Sequence, residues 1–281
     1  MRKKRVSLVL GSGGARGLAH IGIIRYLNEN GYEIASISGS SIGALVGGFY
    51  AAGKLDAYEE WVRTLDALDI IKLLDFEGEG GLLSGVKLMK RLEEFVGNVK
   101  IEELPIAFSA VASDIDSEKE IWIKEGRLLD AIRASIAIPM FFAPFELGGR
   151  RLVDGGVLNP VPIAPTFGDD TELTIAVNLG AKMAHKELLG KPTKQELGFM
   201  QAMGSYLSKL SLRKGVLQGS LFAVAQKSFD MMQADISRIK LAAYPPDKLI
   251  DIPRDLCGML EFNRANEIIE YGYKKAKEVL S

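Results

Sequence analysis

"ISGSSIGALVGG", Ile37 to Gly48, sets two adjacent serines between glycines and follows them with residues too small to fill much of a core. The run is either a tight strand-to-helix turn that presents a serine hydroxyl or a flexible linker. Gly39-Ser40-Ser41-Ile42-Gly43 satisfies G-x-S-x-G. A short apolar run, Ile34 to Ile37, precedes it, and a helix-compatible run ending near Gly53 follows, which is the context the pattern requires. In such a turn the serine holds strained backbone angles, and side chains at the flanking glycines would collide with the strand or the helix. Upstream, Arg5 to Leu10 reads as a buried strand. "GSGGARG" then turns the chain into a helix carrying Leu18, Ile21, Ile24 and Leu27, which Gly31 ends. Two strands separated by a helix form a βαβ unit, so a parallel sheet is expected.

Further along, Asp56 with Glu59 reads as a capping box, and Ser84 as the cap of a helix that stops at Gly97. "IAFSAVA", the edge-like "KEIWIKEG", "RLVDGGV", "LTIAVNL" and "KLIDIP" are five more strand candidates. Glu187 to Met232, rich in methionine, aromatics and lysine, is the least strand-like stretch and is expected to be a helical insertion at about 187–232. It reads as a packed hairpin or a dimer interface of a homo-oligomer, or else as a lid that meets a membrane surface transiently. The terminal segment from Glu261 to Leu280 reads as a helix packed on the sheet. One α/β domain over 1–281 is the economical organisation.

Thirty-five basic residues against 36 acidic ones leave a net charge of -1, which gives no reason to expect a nucleic-acid groove. The single Cys257 excludes an internal disulfide, supports no thiolate metal site and fits a reducing cytoplasm. The apolar run from Val6 to Leu10 is too short for a signal-peptide core. No stretch approaches the roughly 18 apolar residues of a spanning helix, so peripheral contact with a membrane is compatible with the sequence and crossing is not.

Ser41 needs a base to become a nucleophile. His20, one turn into the first helix, suits a structural duty. His185 completes the chain order Ser41, Asp154, His185 of an α/β-hydrolase triad, yet the nucleophile follows only the second strand, too early for that layout. Asp154 in "RRLVDGGVLNP" ends an apolar strand before two glycines. There a carboxylate can project toward the same sheet edge as Ser41, although Asp-Gly is also a common turn opener. The loop "GSGGARG" misses GxGxxG spacing by one residue and lacks a following Gly-Lys-Ser/Thr, which disfavours a nucleotide. Its exposed amides at a helix N-terminus favour negative charge, and if they face Ser41 they form an oxyanion hole. Arg16 is placed to hold the loop carbonyls or to meet an acidic head group.

Four blocks together are similar to the bacterial patatin-like phospholipase family: "GSGGARGLAHIG" (Gly11 to Gly22), "SGSSIGALVGG" (Ser38 to Gly48), "RASIAIPMFFAPFELGGRRLVDGG" (Arg133 to Gly156) and "LEFNRANEIIEYGY" (Leu260 to Tyr273). The resemblance spans nearly the whole chain. It implies a three-layer α/β/α fold with a mostly parallel central sheet. It also implies a lipid acyl hydrolase with a Ser41-Asp154 dyad, oxyanion donors in Gly13, Gly14 and Ala15, and no cofactor or metal. An acyl pocket is expected from Ile42, Met140, Phe141, Phe142 and Phe145. Ser12 stands where the family often has glycine, Ser40-Ser41-Ile42 differs from the more frequent Thr-Ser-Ala, and "SDIDSEKE" departs from the family's Asp-x-x-Thr-Gly hairpin. The β-branch of Ile42 is placed to narrow the entrance beside the hole. A catalytically silent scaffold, a thioesterase and a general carboxylesterase are the competing readings.

Overall fold

Leu8 and Leu10 point to one face of their strand and Val9 to the other, and all three are fully buried, so the sheet that contains them is covered on both sides. The computed structural model describes residues 2–73, 83–182 and 217–281. Among them eight strands form one sheet: β1 (Lys4–Leu10), β2 (Tyr32–Ser40), β3 (Ala107–Asp114), β4 (Lys119–Ile123), β5 (Phe145–Leu147), β6 (Arg150–Asp154), β7 (Leu173–Ala181) and β8 (Lys248–Pro253). β2, β1, β7 and β8 lie side by side, all parallel, and β3 joins them through β2. β4, β5 and β6 are antiparallel additions.

The helices are α1 (Ala19–Glu29), α2 (Ile42–Ala51), α3 (Leu55–Thr64), α4 (Ala67–Leu73), α5 (Val86–Val96), α6 (Leu128–Ser135), α7 (Leu217–Ala243) and α8 (Ala265–Leu280). On one face Val6, Leu8 and Leu10 pack in a large core with α1, α2, α6 and α8. On the other, Val9 and Ala176 meet Val161, Ile163 and Leu241 of α7 in a smaller one. The three-layer arrangement expected from the sequence is therefore present.

β3 decides where the site forms. β4 pairs with Ala110–Asp114, overlapping the pairings of both β2 and β6 with β3, so β4 takes one edge of β3 and the other two share the opposite edge. β2 ends with Ser40 opposite Val111, and β6, arriving from the other direction, ends with Asp154 opposite Ala112. Two strands thus finish tip to tip on consecutive residues of a third.

Several local expectations change. Asp56 and Glu59 form no capping box: α3 starts at Leu55 after Lys54 without a side-chain cap, because the Glu59 carboxylate is taken by Arg63 and Arg25. α5 starts after Gly85 at φ +76°, and Ser84 Oγ accepts from the Val86 amide one residue earlier than a true cap. The "SDIDSEKE" turn is closed by Asp114, whose carboxylate accepts from the Asp116 amide and the Ser117 hydroxyl. The helix that closes the expected insertion does not stop at Met232 but continues as α7 to Ala243, while 187–216 lie outside the described residues.

α8 packs on β8 of the sheet and more extensively on α1, where the approach is close enough to forbid side chains. A Cβ on Gly22 would lie 1.9 Å from the Ile269 carbonyl oxygen, and one on Gly272 would lie 2.1 Å from that of Ala19. Gly22→Ala and Gly272→Ala are each expected to lower stability in urea unfolding by about 1–3 kcal/mol through overpacking. Gly168→Ala, with nothing within 4 Å of the added carbon, should stay within about 0.5 kcal/mol of the parent.

Candidate active site

Ser41 leaves the end of β2 at φ 56° and ψ -126°, a left-handed conformation that non-glycine residues rarely adopt. Its neighbours make the turn sterically feasible. A Cβ on Gly39 would lie 2.5 Å from the Ala44 amide nitrogen, and one on Gly43 would lie 2.1 Å from the Leu10 carbonyl oxygen. Hydrogen bonds lock the strained residue. The Ser41 amide donates to Ser135 Oγ at 2.9 Å, Ser135 donates in turn to the Val111 carbonyl at 2.6 Å, and the Ser41 carbonyl accepts from Ala44 and Leu45.

The tip-to-tip ending of β2 and β6 brings Ser41 and Asp154 together. Ser41 Oγ donates to Asp154 Oδ2 at 2.5 Å, and the Gly156 amide donates to Asp154 Oδ1 at 2.7 Å. Gly155 must be bare, since a Cβ there would sit 2.1 Å from the Val111 carbonyl oxygen. The Asp154 backbone is held by Ala137 and Ser113. Burial pushes the Asp154 carboxyl up to about 7, against the smaller opposing pull of the Ser41 and Gly156 hydrogen bonds. His185 lies outside the described residues. His20 is fully buried in α1 with Nε2 2.9 Å from the Gly11 carbonyl; burial lowers its pKa to about 4, so the ring is neutral and Nε2 carries the proton it donates.

The glycine loop approaches Ser41 from the end of β1. The amides of Gly11 and Ser12 are used by Val177 and Pro160, and that of Ala15 donates to the Met259 carbonyl at 2.8 Å. Ala15 is therefore not free to serve as an oxyanion donor, contrary to expectation. The amides of Gly13 and Gly14 have no partner among the described residues. Arg16 is buried, donating from Nε to the Gly13 carbonyl at 3.0 Å and from Nη1 to the Arg254 carbonyl at 2.7 Å, with Nη2 3.5 Å from Asp230 Oδ1 on α7. In a trans peptide the N–H points opposite to the C=O. Holding the Gly13 carbonyl thus turns the Gly14 amide away from Arg16, and Gly14 borders both cavities that reach Ser41.

The larger cavity, about 110 Å³, is walled by apolar side chains that include Ile42, Phe141, Phe142, Trp61, Leu92 and Met259. Met140 and Phe145 are not among its described walls. Met140 is 40% exposed at φ +71°, and Phe145 lies under the Arg133 guanidinium. Arg133 also stacks on Phe142 and donates to the carbonyls of Ser84 and Ala143, holding together two segments that supply the cavity walls Leu83 and Phe142. A second, smaller cavity of about 10 Å³ lies over the dyad, roofed by Phe229 and Gln233 of α7. Sequence reasoning missed Ser135, Gln233 and the wall-holding duty of Arg133. Only the likeness of the Arg133 to Gly156 block marked two of them.

Two outcomes follow from this geometry. Ser135→Ala leaves the buried Ser41 amide without its acceptor and is expected to cost about 1–3 kcal/mol in chemical unfolding. For Asp154 the folded pKa of about 7 exceeds the model-compound 3.8. Its contribution to stability is thus complete below about pH 4 and is lost as pH rises through 7. Asp154→Asn, which stays neutral, should melt above the parent at pH 8, and the gap should close as the pH is lowered toward 4.

Comparisons with known proteins bear on the whole chain. The family profile described as patatin-like phospholipase matches residues 8–167. An uncharacterized NTE family protein of Mycobacterium bovis is 38% identical over 98% of this chain and 91% of its own length. The lysophospholipase NTE1 of Pyricularia oryzae is 26% identical over 99% of this chain, which spans 18% of that protein. The crystal structure of VipD from Legionella pneumophila matches with a TM-score of 0.55 at 15% identity, over 99% of this chain and 66% of that one, a likeness of fold alone. With the profile covering more than half of its residues and the mycobacterial relative nearly all of them, the chain belongs to the patatin-like phospholipase family.

Proposed function

We propose that residues 1–281 act as one serine acyl hydrolase unit that cleaves carboxylic ester bonds of lipids through Ser41 and Asp154. The observation that carries this reading is the 2.5 Å hydrogen bond between Ser41 Oγ and Asp154 Oδ2, set between an apolar cavity and two unpaired loop amides. Asp154 accepts the hydroxyl proton as Ser41 Oγ attacks the ester carbonyl. The Gly13 and Gly14 amides meet the developing oxyanion, where one such donor is typically worth about 3 kcal/mol. The proton then passes to the departing alcohol oxygen, leaving an acyl-serine that water hydrolyses.

The raised pKa suits this role. A carboxylate near its ordinary pKa is a feeble base for a hydroxyl, and a base that titrates near the working pH is more effective. The apolar walls suit an acyl chain. The family and the lysophospholipase relative support a lipid ester as substrate. A silent scaffold is disfavoured by an intact, hydrogen-bonded dyad. Among the described residues no helix is long and apolar enough to cross a membrane, and in this reading substrate is met by transient contact with a lipid surface.

A fluorophosphonate is expected to add its mass to the Ser41 peptide, and Ser41→Ala to abolish both labelling and turnover of a soluble acyl ester; exclusive labelling of Ser40 would overturn the assignment. Asp154→Asn should lose nearly all kcat/KM while remaining folded by circular dichroism, whereas His185→Ala should stay within about tenfold, roughly 1.4 kcal/mol in barrier. Because the base must be ionised, kcat/KM of the parent should rise with pH through about 7.

A further inference from the structure

The two cavities at Ser41 differ in kind. The larger is apolar, whereas the small one above the dyad gathers polar groups from three separate parts of the chain: Ser12 of the glycine loop, Asp154 of β6 and Gln233 of α7. Gln233 is buried, and its Nε2 donates to Ser12 Oγ at 3.3 Å. The bare α-carbon of Gly156 lets them converge. A Cβ there would lie 2.2 Å from Gln233 Nε2, 2.5 Å from Ser12 Oγ and 2.9 Å from Asp154 Oδ1. At about 10 Å³ the space beside them is close to what a single water molecule needs, and a water there has the two to four polar partners such a site requires. α7 is held in this position by the Arg16–Asp230 ion pair and by Ala234 against Gly180.

We infer that Ser12 and Gln233 form a water-positioning site for deacylation, holding the water that Asp154 deprotonates when the acyl-serine is hydrolysed. The inference rests on the Ser41-Asp154 reading given above. The water oxygen bonds to the acyl carbon while one of its protons passes to the Asp154 carboxylate. The resulting tetrahedral intermediate collapses by breaking the bond between the acyl carbon and Ser41 Oγ, and Ser41 recovers the proton from Asp154 as the carboxylic acid leaves. Ser12 and the Gln233 amide orient the water by hydrogen bonds and exchange no proton. They are positioning residues, and the feature depends on the hydroxyl that Ser12 contributes and a glycine at that position would lack. Acylation does not need the water, so the two half-reactions should respond differently to its loss.

The test is intact-protein mass spectrometry of samples quenched during steady-state turnover of p-nitrophenyl butyrate, with fluorophosphonate labelling rate as the measure of an intact nucleophile. Gln233→Leu should accumulate the butyryl adduct at Ser41 and lose about tenfold or more in turnover, while labelling stays within about threefold of the parent. Ser12→Gly, a change with little risk to folding, should move the same way by a smaller factor. The inference is overturned if Gln233→Leu turns over within about threefold of the parent, or if turnover falls without the adduct, or if labelling falls in parallel. A parent protein that takes neither fluorophosphonate nor butyryl group at Ser41 overturns the dyad itself, and the water site with it.

Discussion

A carboxylate removed from water is among the least tolerable groups in a protein interior, and the surroundings of Asp154 follow from that. Its side chain is fully buried, and two hydrogen bonds, from Ser41 and Gly156, offset part of the lost hydration. The remainder appears as a carboxyl group pushed up to about 7. The same desolvation that weakens the fold at high pH therefore makes the group a stronger base at neutral pH. Moving Asp154 toward solvent would relieve the one and forfeit the other.

Much of the site is built from backbone held by side chains. His20 fixes the Gly11 carbonyl, Arg16 that of Gly13, and Ser135 bridges the Ser41 amide to β3. Each of these side chains is buried, which makes its hydrogen bonds both stronger and harder to replace. The glycines do the complementary work, admitting approaches that any Cβ would block at Gly39, Gly43, Gly155 and Gly156. Crowding and anchoring together leave the serine turn little freedom.

Features that depend on local sterics are legible in the sequence. The strand before Ser41, the glycines around it and the Asp-Gly-Gly end of β6 announce themselves because the chain has to satisfy those constraints within a few residues. Features created by distant contacts are not. Ser135 lies 94 residues from the amide it accepts from, and Gln233 lies 221 from Ser12, so no spacing connects either pair. The Asp56 and Glu59 pattern misleads for a partly related reason: Arg63, one turn along the same helix, and Arg25, from α1, hold the Glu59 carboxylate in place of the helix start. β5, three residues long, is too brief for alternation to register, and its pairing with β6 through Gly148 and Gly149 is what makes it a strand. The Ala15 amide looks equivalent to its neighbours until Met259, far along the chain, claims it.

Arg16 joins the glycine loop to α7 through a pair that is long for an ion contact, 3.5 Å to Asp230, and Asp230 Oδ1 is buried with no hydrogen bond of its own. The negative charge of Asp230 offsets the guanidinium's field across the loop. Drawing the helix away leaves that positive field uncompensated, because the two backbone carbonyls that hold Arg16 carry no net charge. The electrostatic potential at the Gly13 and Gly14 amides therefore varies with the position of a helix more than two hundred residues away in sequence, becoming more favourable to an anion as the helix departs.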